Sequence, residues 1–192
     1  VQLTDIHYGF GIPLSVVERV IYQVNSIKKD AIVCTGDYIH GGGSPRQTER
    51  FWSRWKTLRA KYGVYSVLGN HDHMFNNKDR SLACMEISGQ SVRHRAMPID
   101  RGGARVWIGG AGDMWHDALG IDYAFKKTPP DECKILLSHN PDAADTKFKT
   151  RVDLMISGHT HGGQIAIPPF ASTLSGLQEK SGVSVYISRG IG

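Results

Sequence analysis

The stretch VYSVLGNHDH, residues 64–73, decides the fold of this chain. Its first half is a short apolar run closed by a glycine, which predicts a buried strand. The run ends in Gly69-Asn70-His71-Asp72, where an amide, an imidazole and a carboxylate follow one another. Side chains of these kinds bind metal ions or carry protons. The pattern therefore predicts a strand whose carboxyl end carries chemistry.

The same arrangement occurs elsewhere in the sequence. Apolar runs at residues 1–3, 31–35, 134–137 and 154–157 lead into Asp5-Ile6-His7, Gly36-Asp37, Ser138-His139-Asn140 and Gly158-His159-Thr160-His161. Together with Gly69–Asp72, these polar segments contain five of the nine histidines, which random placement would rarely produce. The sequence thus predicts one site built at the ends of several sheet strands.

Apolar spacing places the remaining elements. Leu14, Val17, Ile21 and Val24 recur at helical spacing after Pro13, which predicts a helix to about residue 27. Further helices are predicted at 47–61 and 82–87, strands at 91–96, 105–108, 164–167 and 183–188, and a turn at 101–103. Strands alternate with helices early and cluster late. This order predicts an α/β layered sandwich with a partly antiparallel second sheet, in a single domain over residues 1–192.

The composition excludes several classes of protein. With 40% hydrophobic and 21% charged residues, the chain fits a globular domain and not a disordered one. The three cysteines form no CxxC pair, so we expect neither a disulfide framework nor a structural zinc site. The formal charge of +5 suits an anionic substrate, a nucleic acid or an acidic membrane surface.

The ends of the sequence suggest a longer natural chain. Val1 already lies inside a predicted strand, and residues 189–192 follow another. No apolar run reaches the roughly 18 residues that a transmembrane helix needs, and no signal peptide is visible. We expect the natural chain to extend in both directions, and a membrane anchor before Val1 is compatible with this sequence. The compartment is left open between the cytoplasm and a membrane surface.

Two pairs of side chains have the spacing of metal ligands on extended backbone. Asp5 and His7 are two residues apart, as are His159 and His161. In a strand, positions i and i+2 point to the same face, so each pair can converge on one cation. A helical site would need a spacing of four residues instead. We therefore expect these pairs on strand ends or extended loops.

Asp37 and Asn70 complete the ligand set. Asp37 stands alone after a buried strand, and its two oxygens can bridge a pair of ions about 3.5–4 Å apart. Asn70 offers a neutral amide oxygen. Mixed oxygen and nitrogen ligands suit Mn²⁺, Fe or Zn²⁺ better than Mg²⁺ or Ca²⁺.

The residues after Asn70 are candidates for acid–base chemistry. If the backbone is extended, His71 points away from the ligands and can contact a phosphate or protonate a leaving alkoxide. Asp72 is expected to pair with His71, fix its tautomer and raise its pKa.

Other polar residues are weaker candidates. His40, in the glycine loop after Asp37, is a candidate substrate contact, and Arg189 is a candidate ligand of a phosphate oxygen. Trp115 is a candidate wall for the leaving group of the substrate. We expect His73 to be a solvated loop residue and His94 to be structural.

The ordered series Asp-x-His, Gly-Asp, Gly-Asn-His-Asp, His, Gly-His-x-His resembles the calcineurin-like metallophosphoesterase superfamily. The forms LGNHDH at residues 68–73, LSHNPD at 137–142 and GHTHGGQ at 158–164 are similar to its bacterial branch of small phosphodiesterases. The resemblance spans residues 2–192. It implies a four-layer α/β/β/α sandwich with two mixed sheets and a binuclear metal site at the carboxyl ends of the strands.

The resemblance also implies roles for the site residues. One metal would take Asp5, His7, Asp37 and His161, and the second would take Asp37, Asn70, His139 and His159. His71 would be the catalytic acid or a phosphate ligand, with Asp72 beside it. A metal-activated hydroxide would attack phosphorus in line, with Mn²⁺ as the expected ion and Fe, Zn²⁺ or mixed pairs as alternatives.

Several functions fit this set of residues. The resemblance favours a phosphodiesterase acting on a small phosphodiester or a phospholipid-related substrate. A phosphomonoesterase, or a pyrophosphohydrolase acting on a nucleotide-linked lipid precursor, is the first alternative. A nuclease is disfavoured because the chain has no room for a separate DNA-binding domain. A non-catalytic scaffold is disfavoured because every candidate ligand is present.

Overall fold

The computed structural model describes residues 1–75, 78–163 and 175–192. Its strands are β1 (Gln2–Leu3), β2 (Ile32–Cys34), β3 (Val64–Ser66), β4 (Ala96–Arg101), β5 (Ala104–Gly110), β6 (Cys133–Leu137), β7 (Leu154–Ser157), β8 (Gly176–Lys180) and β9 (Val183–Ile187). Its α-helices are α1 (Leu14–Ser26), α2 (Pro45–Trp55), α3 (Lys78–Ile87) and α4 (Ile121–Ala124). Single 3₁₀ turns lie at His40–Gly42, His71–His73, Pro141–Asp145 and His161–Gly163. The strand predicted at 164–167 lies outside the described residues.

The first sheet contains three parallel strands in the order β1-β2-β3. Gln2 pairs with Val33, and Val33 pairs with Tyr65, so the three carboxyl ends lie at one edge. The expectation of two mixed sheets is therefore corrected for this sheet, since its described strands all run the same way. Helical connections explain the difference, because α1 and α2 each return the chain to the same starting edge.

The second sheet contains six strands in the order β4-β5-β6-β7-β9-β8. Its four central strands are parallel, and β4 and β8 are antiparallel edge strands. This confirms the prediction of a partly antiparallel second sheet. The turn predicted at 101–103 is confirmed between β4 and β5.

Three predicted elements differ in their bounds. Helix α3 begins at Lys78 and not at residue 82. No described residue of 91–95 belongs to a strand; instead Ser91 bridges to Ser66 and Arg93 bridges to Gly110, so this segment links the two sheets. Helix α2 ends at Trp55 and not near residue 61. There the side chain of Asn25 on α1 accepts the Arg59 N–H at 2.9 Å and donates to the Thr57 carbonyl at 3.0 Å. These bonds hold the chain in a turn where the apolar pattern alone favours more helix.

Three apolar clusters show how the layers pack. The first joins Val17, Phe51 and Trp55 of the helices to Leu3 and Ile32 of the first sheet. The second lies between the sheets, and the third covers the far face of the second sheet with α4 and the 141–145 turn. The layers therefore run helix, sheet, sheet, helix, which confirms the four-layer α/β/β/α prediction. In the described part of the chain, none of the helices is long and apolar enough to cross a membrane.

Candidate metal centre

The predicted ligands all lie just beyond the carboxyl ends of parallel strands. Asp5 and His7 follow β1, Asp37 follows β2 and Asn70 follows β3. His139 follows β6, and the pair His159 and His161 follows β7 of the other sheet. Both sheets present these ends to one edge of the sandwich, so the side chains meet there. The structure brings together all seven predicted ligands.

The first group consists of Asp5, His7, His161 and one oxygen of Asp37. The Nε2 atoms of His7 and His161 lie 2.9 Å apart, and His161 Nε2 lies 3.3 Å from Asp5 Oδ1. His7 Nε2 lies 3.6 Å from Asp37 Oδ2 and 4.0 Å from Asp5 Oδ1. These four side chains surround one position.

The second group is built around His139. Its Nδ1 donates to the Thr35 carbonyl at 2.7 Å, which leaves Nε2 facing the site. His139 Nε2 lies 3.2 Å from Asp37 Oδ2, 3.1 Å from Asn70 Oδ1 and 3.1 Å from His159 Nδ1. Asp37 Oδ2 therefore belongs to both groups, as a bridging carboxylate must.

The chemistry of these atoms fits a pair of cations. Carboxylate and amide oxygens accept hydrogen bonds, and so does the unprotonated nitrogen of a neutral imidazole. The atoms that face each other in each group are therefore all electron-pair donors, which a cation can bind. Four ligand atoms placed tetrahedrally at about 2.1 Å from an ion lie about 3.4 Å from one another. The separations of 2.9–3.6 Å among most of these atoms match that arrangement.

The backbone at the ligands is not extended, which corrects the argument from strand spacing. The φ angles are 53° at Asp5, 50° at His7, 53° at Asp37, 71° at His159 and 49° at His161. Left-handed backbone costs a non-glycine residue about 1–2 kcal/mol. The ligand pairs still converge. They do so because each left-handed residue turns its side chain out of the strand direction, and not because of the alternation of side chains in a strand. Such strain collected in one place is typical of functional sites.

Backbone contacts between the loops hold this conformation. The Asp5 N–H donates to the Gly36 carbonyl at 2.9 Å, and the His7 N–H donates to the Asp37 carbonyl at 3.1 Å. A Cβ at Gly36 would lie 2.3 Å from the Gly69 nitrogen. Glycine is therefore required where the Asp37 and Asn70 loops touch.

His71 lies beside the ligands with a defined tautomer. Its Nδ1 accepts the Gly41 N–H at 3.0 Å, so the proton of the neutral ring is on Nε2. Its backbone N–H donates to Asp37 Oδ1 at 2.9 Å, and its ring centroid lies 4.7 Å from that of His7. Burial lowers the pKa of His71 and favours the neutral ring.

The predicted pairing of Asp72 with His71 is wrong. Asp72 Oδ1 accepts the Tyr38 and Ile39 N–H groups at 3.0 and 3.2 Å, and Oδ2 accepts the Gly69 N–H at 3.0 Å. The 3₁₀ turn over residues 71–73 separates the two side chains, and it buries Asp72. Asp72 therefore joins the loops that carry Asp37 and Asn70. Burial, and then the charge of Asp37, raises the pKa of Asp72 to about 8.

The electrostatics of the centre favour bound positive charge. Burial lowers the pKa of His7 to about 4 and also lowers that of His159, so both rings are neutral and have free electron pairs. Burial also opposes charge on His139, but the adjacent Asp37 outweighs it and raises the pKa of His139 to about 10. Asp37 therefore stabilises a positive charge on this side of the centre.

The weaker candidates lie at varying distances from the centre. His40 Nδ1 lies 3.4 Å from His7 Nδ1, so the ring is at the site. The side chain of Arg189 packs over the backbone of Gly162, and its Nε donates to Ser175 Oγ at 3.3 Å. His94 Nε2 bonds the Ala118 carbonyl, as expected of a structural residue. His73 is buried and not solvated, because the 3₁₀ turn directs it inward.

Sequence reasoning missed three groups that position the site. Thr4 Oγ1 donates to Asp5 Oδ2 at 2.6 Å, the Thr35 carbonyl orients His139, and the Gly41 N–H orients His71. Thr4 adjoins a predicted ligand in the sequence, which is a usable signal. The two backbone groups carry no signal, since any residue offers them.

Two adjoining groups of acceptor atoms at the edge of a double sheet define the binuclear metallohydrolase class of site. Residues 1–163 match the family described as calcineurin-like phosphoesterase. The chain belongs to the calcineurin-like phosphoesterase family. This membership supports a phosphoester hydrolase with a dimetal centre.

Curated relatives agree with this assignment. The chain is 28% identical to the metallophosphoesterase YkuE of Bacillus subtilis, covering 100% of this chain and 71% of YkuE. It is 27% identical to the phosphodiesterase YaeI of Escherichia coli, covering 99% and 73%. It is 25% identical to the UDP-2,3-diacylglucosamine pyrophosphatase LpxG of Chlamydia trachomatis, covering 100% and 77%.

Solved structures show the same fold. The protein TT1561 of Thermus thermophilus superposes with a TM-score of 0.63 at 13% identity, over 97% of this chain and 86% of that one.

Proposed function

We propose that this protein hydrolyses phosphodiesters with two divalent cations, of which Mn²⁺ is the first expectation. The observation that carries the proposal is the shared Asp37 Oδ2 between two groups of ligand atoms, with the protonated nitrogen of His71 adjacent. Asp5, His7, Asp37 and His161 would hold one cation. Asp37, Asn70, His139 and His159 would hold the other.

When bound, such a pair of cations neutralises the charge of a phosphate and activates water at neutral pH. The ligands include imidazole nitrogens as well as oxygens, which favours Mn²⁺, Fe or Zn²⁺ over Mg²⁺. Asp5, Asp37 and His139 are buried, so bulk water does not compete for these ligand atoms.

The role of His71 is to donate a hydrogen bond to the leaving oxygen. Its Nε2–H is available, because Nδ1 is occupied by the Gly41 N–H. The oxygen of water forms a bond to phosphorus while the ester P–O bond breaks. The attacking water releases a proton to solvent, the departing oxygen takes one from solvent, and His71 keeps its own proton. The products are an alcohol and a phosphomonoester. Neutral His71 is the form that makes this hydrogen bond, and burial maintains it.

The similarity to YaeI supports the diester as the substrate class. The similarity to LpxG, whose name specifies cleavage of a pyrophosphate in a nucleotide-linked lipid, supports a pyrophosphohydrolase as the second candidate. Both reactions use the same attack on phosphorus and differ in the leaving group, which is an alcohol in one and a phosphate in the other.

The test compares bis-p-nitrophenyl phosphate with p-nitrophenyl phosphate after metal is stripped and Mn²⁺, Zn²⁺ or Mg²⁺ is added back. We expect metal-restored hydrolysis of the diester, faster than that of the monoester. Faster hydrolysis of the monoester would contradict the diester assignment. UDP-2,3-diacylglucosamine as a third substrate separates the pyrophosphohydrolase from both. A protein that binds metal but hydrolyses none of the three would favour a scaffold.

A further inference from the structure

Two exposed aromatic rings lie directly against the imidazoles of the metal centre. Phe10 is 71% exposed and stacks on His40, with ring centroids 4.6 Å apart and an interplanar angle of 22°. Trp115 is 58% exposed and meets His159 edge to face, with centroids 4.9 Å apart. Large apolar rings left in water beside a polar centre indicate a binding surface.

The two rings belong to separate rows of aromatic contacts. Phe10 stacks on His40, and the His40 centroid lies 4.8 Å from that of His71. This row leads to His71, the proposed hydrogen-bond donor to the leaving oxygen. Trp115 contacts His159, whose centroid lies 4.9 Å from that of His139. The second row leads to the ligand group built around His139. Phe10 and Trp115 therefore lie beside different parts of the centre.

A phosphodiester has two ester groups, and the reaction treats them differently. The leaving oxygen must be next to His71 Nε2 to accept its hydrogen bond, so the group attached to it lies on the side of His40 and Phe10. The retained ester group is not in line with the attacking and leaving oxygens and points away from that side. Among the described residues, Trp115 is the exposed aromatic ring that contacts the second ligand group.

We infer that Phe10 and Trp115 are two binding surfaces for planar, apolar ester groups of the substrate. Phe10, with His40, receives the leaving group, and Trp115 receives the group retained on phosphorus. This inference rests on the proposed function and names its substrate class: a diester with a planar or apolar group on each side. It also moves Trp115 from the leaving-group side, where the sequence placed it, to the retained-group side.

The test keeps the leaving group constant and varies the retained group. Phenyl p-nitrophenyl phosphate and methyl p-nitrophenyl phosphate both release p-nitrophenolate. The preference of the enzyme is the ratio of kcat/KM for the phenyl diester to kcat/KM for the methyl diester. Because aromatic contacts contribute modestly, we expect Trp115→Ala to lower this ratio about fivefold and Trp115→Phe to restore most of it. General damage to the metal centre would lower both rates and leave the ratio unchanged.

Phe10→Ala gives the opposite pattern. Both substrates have the same leaving group, so both values of kcat/KM should fall about fivefold while the ratio stays that of the wild type. Tyr22→Ala and Tyr123→Ala remove exposed rings from α1 and α4 and serve as matched controls. We expect neither control to change either rate.

Two results would overturn the inference. One is an unchanged ratio in Trp115→Ala, and the other is a changed ratio in Phe10→Ala. If the wild type hydrolyses neither diester, the proposed function fails separately. Calorimetric binding of diphenyl phosphate against dimethyl phosphate to the Mn²⁺-loaded protein then decides whether Trp115 prefers a planar group. If Trp115→Ala lost equal affinity for diphenyl phosphate and dimethyl phosphate, this preference of Trp115 would be rejected.

Discussion

The position of single protons decides how the metal centre works. His139 donates its Nδ1 proton to the Thr35 carbonyl and turns Nε2 to Asp37, as a metal ligand must. His71 accepts at Nδ1 from Gly41 and so keeps its proton on Nε2. With a cation bound, the two neighbouring imidazoles thus have opposite tautomers, one suited to bind the cation and the other to donate a hydrogen bond.

This difference predicts distinct phenotypes for two variants. His71→Ala should bind metal as the wild type does but lose about a hundredfold or more in kcat, the usual cost of removing one positioned hydrogen-bond donor. Asp37→Ala should lose metal as well, because it removes the oxygen shared by both groups. Metal content after dialysis and kcat with bis-p-nitrophenyl phosphate check this. Asp30→Asn, an exposed carboxylate, is the control. Equal metal loss in the His71 and Asp37 variants would contradict the division of roles.

The hydroxyl of Thr4 is expected to influence metal affinity through Asp5. Its hydroxyl donates to Asp5 Oδ2 at 2.6 Å in a buried position. Thr4→Val keeps the shape but removes the donor, so Asp5 loses its orientation and metal affinity should fall about tenfold or more. Thr4→Ser keeps the donor and should retain the affinity. Competition for Mn²⁺ with a chelating dye measures both variants, and equal affinity in the two would exclude this role.

The identities of the ligands could be predicted from sequence, but their conformation could not. A buried strand followed by Asp, His or Asn identifies each candidate, because few other sites need that order. The left-handed backbone at Asp5 and His7 depends on contacts with Gly36 and Asp37, which are distant in the chain. The same holds for Asp72, whose partners are backbone groups that look alike in any sequence.

Among the helices and strands, those with one clearly apolar face matched their patterns. The buried residues of α1 are Val17, Ile21 and Val24, as the spacing predicts. The end of α2 could not be predicted, since it depends on Asn25 of another helix. Its start is set locally: Ser44 Oγ accepts the Gln47 N–H, and Gln47 Oε1 accepts the Ser44 N–H.

This capping box yields a stability prediction. Ser44→Ala should lower the free energy of unfolding by about 1 kcal/mol, the usual contribution of a helix N-cap. Ser53→Ala, on the exposed face of the same helix, should change it much less. Urea unfolding of the metal-free protein measures both. A loss in Ser53→Ala as large as that in Ser44→Ala would contradict the capping argument.

For the molecule as a whole, the segment at residues 91–95 joins the two sheets. Arg93 bridges to Gly110, and its guanidinium pairs with Asp117, with Nη2 2.7 Å from Oδ1. Lys78 Nζ lies 3.5 Å from the same carboxylate. The loop that carries Trp115 is therefore attached to the connection between the layers. Sequence patterns show no sign of this link, because it pairs charges 24 residues apart.

This pair predicts a dependence of stability on acid. Burial opposes charge on Asp117, but the hydrogen bond and charge of Arg93 outweigh it and lower the pKa to about 2. The pair therefore stabilises the fold above the unfolded pKa of about 3.9, and this stabilisation is lost as the pH falls through the folded value. Asp117→Asn should be less stable than wild type at pH 6, with the gap narrowing between about pH 4 and pH 2. If the difference in the free energy of unfolding between wild type and Asp117→Asn stayed constant on acidification, this role of the Arg93–Asp117 pair would be refuted.

We propose that two cations sharing Asp37 drive phosphodiester hydrolysis. The most direct measurement is a titration of metal-stripped protein with Mn²⁺, in which bound metal and hydrolysis of bis-p-nitrophenyl phosphate are followed in the same sample. We expect two bound ions per chain and activity that appears with them. Hydrolysis by the stripped protein, or full activity with a single bound ion, would contradict it.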